Sequence, residues 1–222
     1  MLIVSVEGNI GSGKSTLISQ LKNEITSIGD TPIVYIDEPV RVWNTIMDKE
    51  GNNIIKCYYK DQKKYAFQFQ MMAYITRITQ LRKAMELYNG KCIIITERSI
   101  ETDKQVFAKM LYENKTLDNI SYTIYLKWFD ELSRNLTVDN LIYLKTTPST
   151  SFDRVIKRNR PGETISLDYL KDCHEHHERW LQITDGVLYL DGDIDNSVSE
   201  SFERKVSSIR IALESWYKYK ST

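Results

Sequence analysis

Long apolar runs are missing from this chain: none approaches the ~18 residues that a membrane span needs. Neither sign of charge prevails. Thirty Lys and Arg cancel thirty Asp and Glu, so no strong field steers the protein towards nucleic acid or an anionic membrane. Cysteine is scarce. Cys57, Cys92 and Cys173 are scattered and odd in number, which does not suggest a disulfide framework and predicts a reduced, cytoplasmic compartment. No internal repeat, low-complexity tract or linker is present, and no basic or apolar leader precedes the first apolar run. The expectation is a single domain over residues 1–222. At 41% hydrophobic residues the composition is that of an ordinary globular protein, long enough to bury a sizeable core.

The most informative stretch is residues 2–16. Leu2 to Val6 is a short, β-branched apolar run, as in a buried strand. It breaks into Gly8-Asn9-Ile10-Gly11-Ser12-Gly13-Lys14-Ser15-Thr16, in which residues 8–15 satisfy G-x-x-x-x-G-K-[ST] at every fixed position. Glycines let successive backbone N–H groups curl around an anion, and the following helix N-terminus adds its positive end. Lys14 can reach β- and γ-phosphates, and the Ser15 hydroxyl suits Mg²⁺. The motif arises by chance in roughly one chain in a hundred of this length. Its strand before and amphipathic stretch after make an accident rarer still. The pattern implies a nucleoside triphosphate site.

Further along, strands and helices alternate. Helical spacing runs from Lys14 to about Ile28 and stops at Gly29-Asp30. Ile33–Ile36, residues 91–96, Leu141–Leu144 and Val187–Leu190 read as strands, making five with the first. A long helix is predicted from about Asp61 to Tyr88, with Asp61 as its N-cap and an apolar stripe of Phe67, Met71, Tyr74, Ile75, Ile78, Leu81 and Met85. Further helices are predicted over about 100–113, 119–136, 148–157, 167–184 and 198–217. The fold class is therefore α/β: a five-stranded parallel sheet covered by helices on both faces.

Several clusters could carry chemistry. Glu38 ends the second strand, where a carboxylate points into the ligand crevice of an open sheet and could act as a general base. Glu97-Arg98 leaves the third strand, where P-loop proteins place an acid for the metal. Arg154, Arg158 and Arg160 suit a cap over phosphates, since guanidinium forks match phosphate oxygens; basic residues late in a helix also complement its dipole. Gln70, Ala73 and Arg77 share one face of the long helix, and a base edge could satisfy the two polar ones. Tyr59 shares their angular position, but eleven helical residues rise ~16 Å, so it is expected in a loop that folds back. Cys173-His174-Glu175-His176-His177 invites a zinc reading, but no other Cys/His pair has ligand spacing, and these residues are read as structural.

Together these pieces resemble the deoxynucleoside kinases. GNIGSGKST, EPVRVW, FQMMAYITR, ERSIETD, RVIKRNR and LDYLKDCHEHHERWL stand in the family's order from Val4 to about Leu190. The resemblance implies a P-loop kinase fold with an arginine-rich lid at about 157–164. It implies that Glu38 deprotonates a 5′-hydroxyl, that Arg98 positions that oxygen, and that Glu97 holds Mg²⁺ with Ser15. Trp43 and Phe107 would flank the base, Gln70 would bond its edge, and Tyr59 and Glu163 would take the 3′-hydroxyl. Gly8 to Thr16 and the three lid arginines would bind ATP, with residues 192–196, Asp193 among them, near its adenine. Arg77 and Asp103 are the pair carried by relatives that favour deoxycytidine or deoxypurines over thymidine. Family members often have two adjacent acids after the last lid arginine, whereas Pro161-Gly162-Glu163 supplies one. A homodimer through helices is also implied. The alternatives are a nucleoside-monophosphate kinase and a catalytically inactive, kinase-like subunit.

Overall fold

The computed structural model describes residues 1–194 and 199–221. At its centre lies β1 (Leu2–Glu7), whose continuous apolar run is buried on both faces. Successive side chains of a strand point to opposite sides. Leu2, Val4 and Val6 therefore meet Leu17, Ile18 and Leu21 of α1 (Lys14–Glu24) and Ile209 and Leu213 of α10 (Ser199–Ser221). Ile3 faces Tyr74, Ile78 and Leu81 of α4 (Gln62–Tyr88) and Tyr125 and Phe129 of α7 (Asn119–Leu132). The expected start of the last helix, near Val198, lies outside the described residues.

The sheet has six strands rather than five, and is mixed rather than parallel throughout. Its order is β2 (Ser27–Ile28), β3 (Thr31–Ile36), β4 (Ile93–Glu97), β1, β5 (Asn140–Lys145), β6 (Val187–Asp191). The added strand pairs antiparallel with β3, and the other four pairings are parallel. Gly29-Asp30 does not merely stop a helix. With Gly29 at φ +54° it turns a two-residue hairpin, for which a positive φ is the requirement. α1 consequently ends at Glu24, four residues early, while Ile25 and Ile28 stay in the core.

Between β3 and β4 the chain forms α2 (Val40–Trp43), α3 (Ile54–Lys60) and α4. Asp61 caps α4 as expected, its side chain accepting from Lys64 N–H. It also ends α3, at φ −149°. Tyr59 therefore sits on a separate short helix, not in a loop, and the break at Asp61 swings that helix back over α4. Of the predicted stripe on α4, Tyr74, Ile78 and Leu81 are buried and Ile75 is exposed. The expected helix over 100–113 is interrupted: α5 (Ile100–Thr102) and α6 (Lys109–Glu113) flank a π-helical turn, Asp103–Ala108. Such turns recur at functional sites. α8 (Pro148–Arg158) and α9 (Leu167–Leu181) enclose the arginine-rich loop. Among the described residues, no helix is long and apolar enough to cross a membrane.

Candidate active site

The carboxyl ends of β1, β3 and β4 open into a cavity of about 470 Å³. β1 lies where the strand order reverses, the crevice in which open α/β sheets bind ligands. The P-loop forms one wall, with Ile10 to Thr16 exposed to the cavity. Gly11 (φ +81°) packs so closely on α8 that a Cβ there would lie 2.4 Å from Ser151 O, and Gly13 has φ +98°. No other residue type could hold the loop in this curl without strain. Asn9 faces away from the cavity, tying the loop to α9 through Nδ2 donated to Leu170 O at 2.8 Å.

Lys14 donates Nζ to Asn9 O at 2.6 Å and to Ser12 Oγ at 3.3 Å, bending across its own loop. Burial, and then repulsion from Arg98, lower its pKa to about 7. An anion in the loop would oppose both effects. Ser15 Oγ donates to Glu97 Oε1 at 2.7 Å, so a hydroxyl and a buried carboxylate converge at the head of α1. Two hard oxygen donors beside a phosphate loop fit Mg²⁺, which takes few protein ligands and keeps several waters.

Across the cavity, Arg77 joins three carboxylate-bearing residues. Its Nη2 donates to Glu38 Oε1 at 2.8 Å, its Nε to Asp103 Oδ2 at 3.0 Å and its Nη1 to Glu97 O at 2.7 Å. Arg98 Nη1 reaches the same Glu38 oxygen at 2.6 Å. Among the described residues both guanidinium groups engage Oε1, so Oε2 is left for an incoming donor. Burial would raise the Glu38 pKa, but Arg98, Arg77 and Lys14 outweigh it and hold the carboxyl well below the usual range. Asp103 goes the other way. Its burial outweighs Arg77, and its pKa rises to about 6. Arg98 itself has φ +61°, a left-handed backbone that costs a non-glycine residue on the order of 1–3 kcal/mol and clusters at active sites.

Beyond this ion-pair network lies an aromatic slot. Trp43 is held by Nε1 donated to Thr76 Oγ1 at 3.0 Å and meets Phe69 edge-on. Phe107, on the π turn, lies under the Arg98 guanidinium, 5.2 Å from the ring centre. Gln70 Oε1 is buried in the cavity wall with no partner among the described residues, an acceptor whose desolvation a ligand N–H would offset. Tyr59 and Glu163 close the far end, Glu163 paired to Arg158 at 2.5 Å and to Arg160 at 3.7 Å. Arg154 instead donates to the carbonyls of Ser12, Gly192 and Asp193, clamping that loop against the P-loop. The Asp193 carboxylate turns from the cavity to accept from Thr147 N at 2.9 Å. Of the expected adenine segment, residues 195 and 196 lie outside the described residues.

Sequence reasoning missed Ile55, Tyr58, Phe69, Lys157 and Tyr169, which also line the cavity. Tyr58 stacks on Phe69 and shares a hydroxyl hydrogen bond of 3.0 Å with Tyr169. The density of aromatics between residues 58 and 69 was the available signal. Two of the three histidines of α9 are elsewhere engaged. His176 bonds Asp172 O and Glu113, and His177 lies stacked on Tyr143.

A glycine-rich anion loop at the head of α1, on a sheet of this order, defines a P-loop kinase fold. Residues 4–214 match the family model for deoxynucleoside kinases, and the chain belongs to that family. It is 35% identical over 211 residues to a probable deoxycytidine kinase of fowlpox virus, covering 89% of this chain and 83% of that one. Human deoxycytidine kinase is 33% identical, covering 80% and 74% respectively. A mitochondrial deoxyguanosine kinase of Xenopus laevis is 33% identical, covering 80% and 72%. The protein is thus a kinase of deoxynucleosides.

Proposed function

We propose that the enzyme uses ATP and Mg²⁺ to phosphorylate the 5′-hydroxyl of a deoxynucleoside, giving the 5′-monophosphate for nucleotide salvage. The observation that carries this reading is the position of Glu38: ion-paired to two arginines, between the P-loop lysine and an aromatic slot whose Gln70 oxygen has no partner among the described residues. The residues of the loop, Gly8 to Thr16, would hold the triphosphate, with Lys14 on its outer phosphates. Ser15 and Glu97 would hold Mg²⁺, which neutralises charge on the phosphates when bound. The base would lie between Trp43 and Phe107 with Gln70 on its edge, and Tyr59 and Glu163 would take the 3′-hydroxyl. Arg158 and Arg160 would leave Glu163 for the transferring phosphate. Arg154 and Asp193 would shape the adenine side by fixing the loop at Gly192. Catalysis then rests on positioning and charge neutralisation, as in phosphoryl transfer generally.

Assayed side by side with ATP and Mg²⁺, deoxycytidine is expected to be phosphorylated and deoxycytidine 5′-monophosphate to be left unchanged, since Glu38 would repel a phosphate there. Transfer to the monophosphate would identify a nucleoside-monophosphate kinase, and transfer to neither, with deoxyadenosine, deoxyguanosine and thymidine also inert, a retired subunit.

We also propose a cytoplasmic homodimer. Cys57, Cys92 and Cys173 are unpaired and buried, in keeping with a reducing compartment. Ile120, Ile124 and Trp128, spaced four apart on α7, are 72%, 40% and 50% exposed, and α7 packs on α4, which carries exposed Ile75. An apolar stripe of this kind suits a second copy of the same face. Trp128→Glu is expected to convert a dimer to a monomer in light scattering; a variant that stays dimeric would rule this face out.

A further inference from the structure

One buried carboxylate takes no part in the mechanism above. Glu7 ends β1 immediately before the P-loop and is completely buried. It lies on the same face of the strand as Ile3 and Ser5, pointing away from α1. Its Oε1 accepts from Ser5 Oγ at 2.6 Å and from the backbone N–H of Ser99 at 2.9 Å. Its Oε2 accepts from Thr102 Oγ1, whose own neighbour is Ser99 Oγ at 3.2 Å. Every bond but the one to Ser5 ends in the turn that carries Arg98 out of β4 or in α5, which follows it.

That turn is the strained one. Arg98 stands in the left-handed region, which persists in a bulky residue only where the surroundings over-determine it. Three contacts do so. Arg98 N–H donates to Val6 O at 3.0 Å, Thr96 Oγ1 donates to Arg98 O at 2.9 Å, and the next amide, that of Ser99, donates to Glu7. The first anchors the peptide before Arg98 to β1. The other two hold the peptide that follows it, Thr96 at its oxygen and Glu7 at its N–H, and so fix the direction in which the side chain leaves towards Glu38.

We propose that Glu7 is a positioning residue: by holding the Ser99 amide and Thr102 it keeps Arg98 in the left-handed conformation that delivers its guanidinium to Glu38. This rests on the kinase reading of Glu38 and Arg98. The role depends on reach and on acceptor geometry, not on charge. Glu7 also acts electrostatically on Lys14 and Arg77, so the test must separate the two.

Two substitutions do this. Glu7→Gln removes the charge but keeps the length. Its carbonyl can accept from Ser5 and Ser99, and its amide can donate to Thr102, whose proton then turns to Ser99 Oγ. Glu7→Asp keeps the charge but falls short by one methylene, about 1.5 Å, and a misplacement of that size costs on the order of 10- to 100-fold in rate. The expected result is Glu7→Gln within about threefold of wild-type kcat, and Glu7→Asp down at least about tenfold with nucleoside KM within about threefold. A second readout does not depend on activity. In ¹³C NMR of the free enzyme, with Glu38→Gln for assignment, the Glu38 carboxyl should titrate at higher pH in Glu7→Asp, because Arg98 is withdrawn, and unchanged in Glu7→Gln. The opposite order of the two variants would assign the effect to charge and overturn the proposal. So would an unmoved Glu38 titration in Glu7→Asp. Failure of the wild type to phosphorylate a deoxynucleoside would sink the kinase reading alone, since the Glu38 titration still reports the Arg98 contact.

Discussion

Glu38→Gln is expected to bind nucleoside and ATP as the wild type does and to turn over about 10²-fold more slowly or worse, the scale on which a positioned general base contributes. The geometry bears on how Glu38 would act in that role. Arg98, Arg77 and Lys14 overcome the cost of burial and keep Glu38 ionised far into the acid range, so it is a weak base. A weak base suits phosphoryl transfer through a loose transition state, in which the hydroxyl becomes acidic only as the new P–O bond forms. Until then Glu38 would have to accept only one hydrogen bond and orient the oxygen. Oε2 would be the atom for that purpose, and an amide in its place would present its N–H₂ group instead. Because Glu38 is ionised already, its protonation should put no acid limb between pH 5 and 8 on the wild-type kcat profile. Steady-state kinetics check both statements; a variant retaining more than half the wild-type rate would remove Glu38 from the chemistry.

The second large effect concerns which base is accepted. Deoxycytidine or a deoxypurine is expected to exceed thymidine by more than about tenfold in kcat/KM, because a site built for hydrogen bonds penalises a mismatched edge. Asp103 can accept from the exocyclic amine of cytosine or adenine, whereas thymine presents a carbonyl there and two acceptors repel. Arg77 would also stand where the thymine methyl must go. The sign of the pH effect follows from Asp103, whose pKa is raised to about 6 by burial against the pull of Arg77. Above pH 6 the carboxylate would accept and discrimination should be full; as pH falls through 6 it would protonate and be able to donate to a carbonyl, and discrimination should narrow. Arg77→Met with Asp103→Ala should shift the ratio towards thymidine. Since Arg77 also grips Glu38, the shift should come with a lower kcat on every substrate. Competition between paired deoxynucleosides measures the ratio directly. A wild-type preference for thymidine, or a double variant that loses stability with its substrate order intact, would show the pair to be a buried ion bridge and nothing more.

Much of this was legible in residues 2–16 and in the ends of the strands. Phosphate-loop chemistry needs particular residue types at fixed short spacings, so the P-loop and the helix behind it can be read without a fold. Apolar runs buried on both faces likewise announced the parallel core, and the Asp61 cap the start of α4, because those signals are local in the chain. Where one local signal served two structures, sequence reasoning chose wrongly. Gly29-Asp30 ends a helix as readily as it turns a hairpin, and the sixth strand was missed. The site's inner connections were out of reach for a different reason. That Arg77 ties Glu38 to Asp103, that Arg98 sits at φ +61°, and that Gln70 Oε1 has no partner among the described residues depend on residues 26 to 92 positions apart. Glu7 shows where the boundary falls. Ser5 and Glu7, two polar residues on one face of a buried strand, were a visible anomaly in the sequence. What they hold was decided by the packing of β4 against β1, because a buried carboxylate is defined by its partners and those arrive only with the tertiary fold.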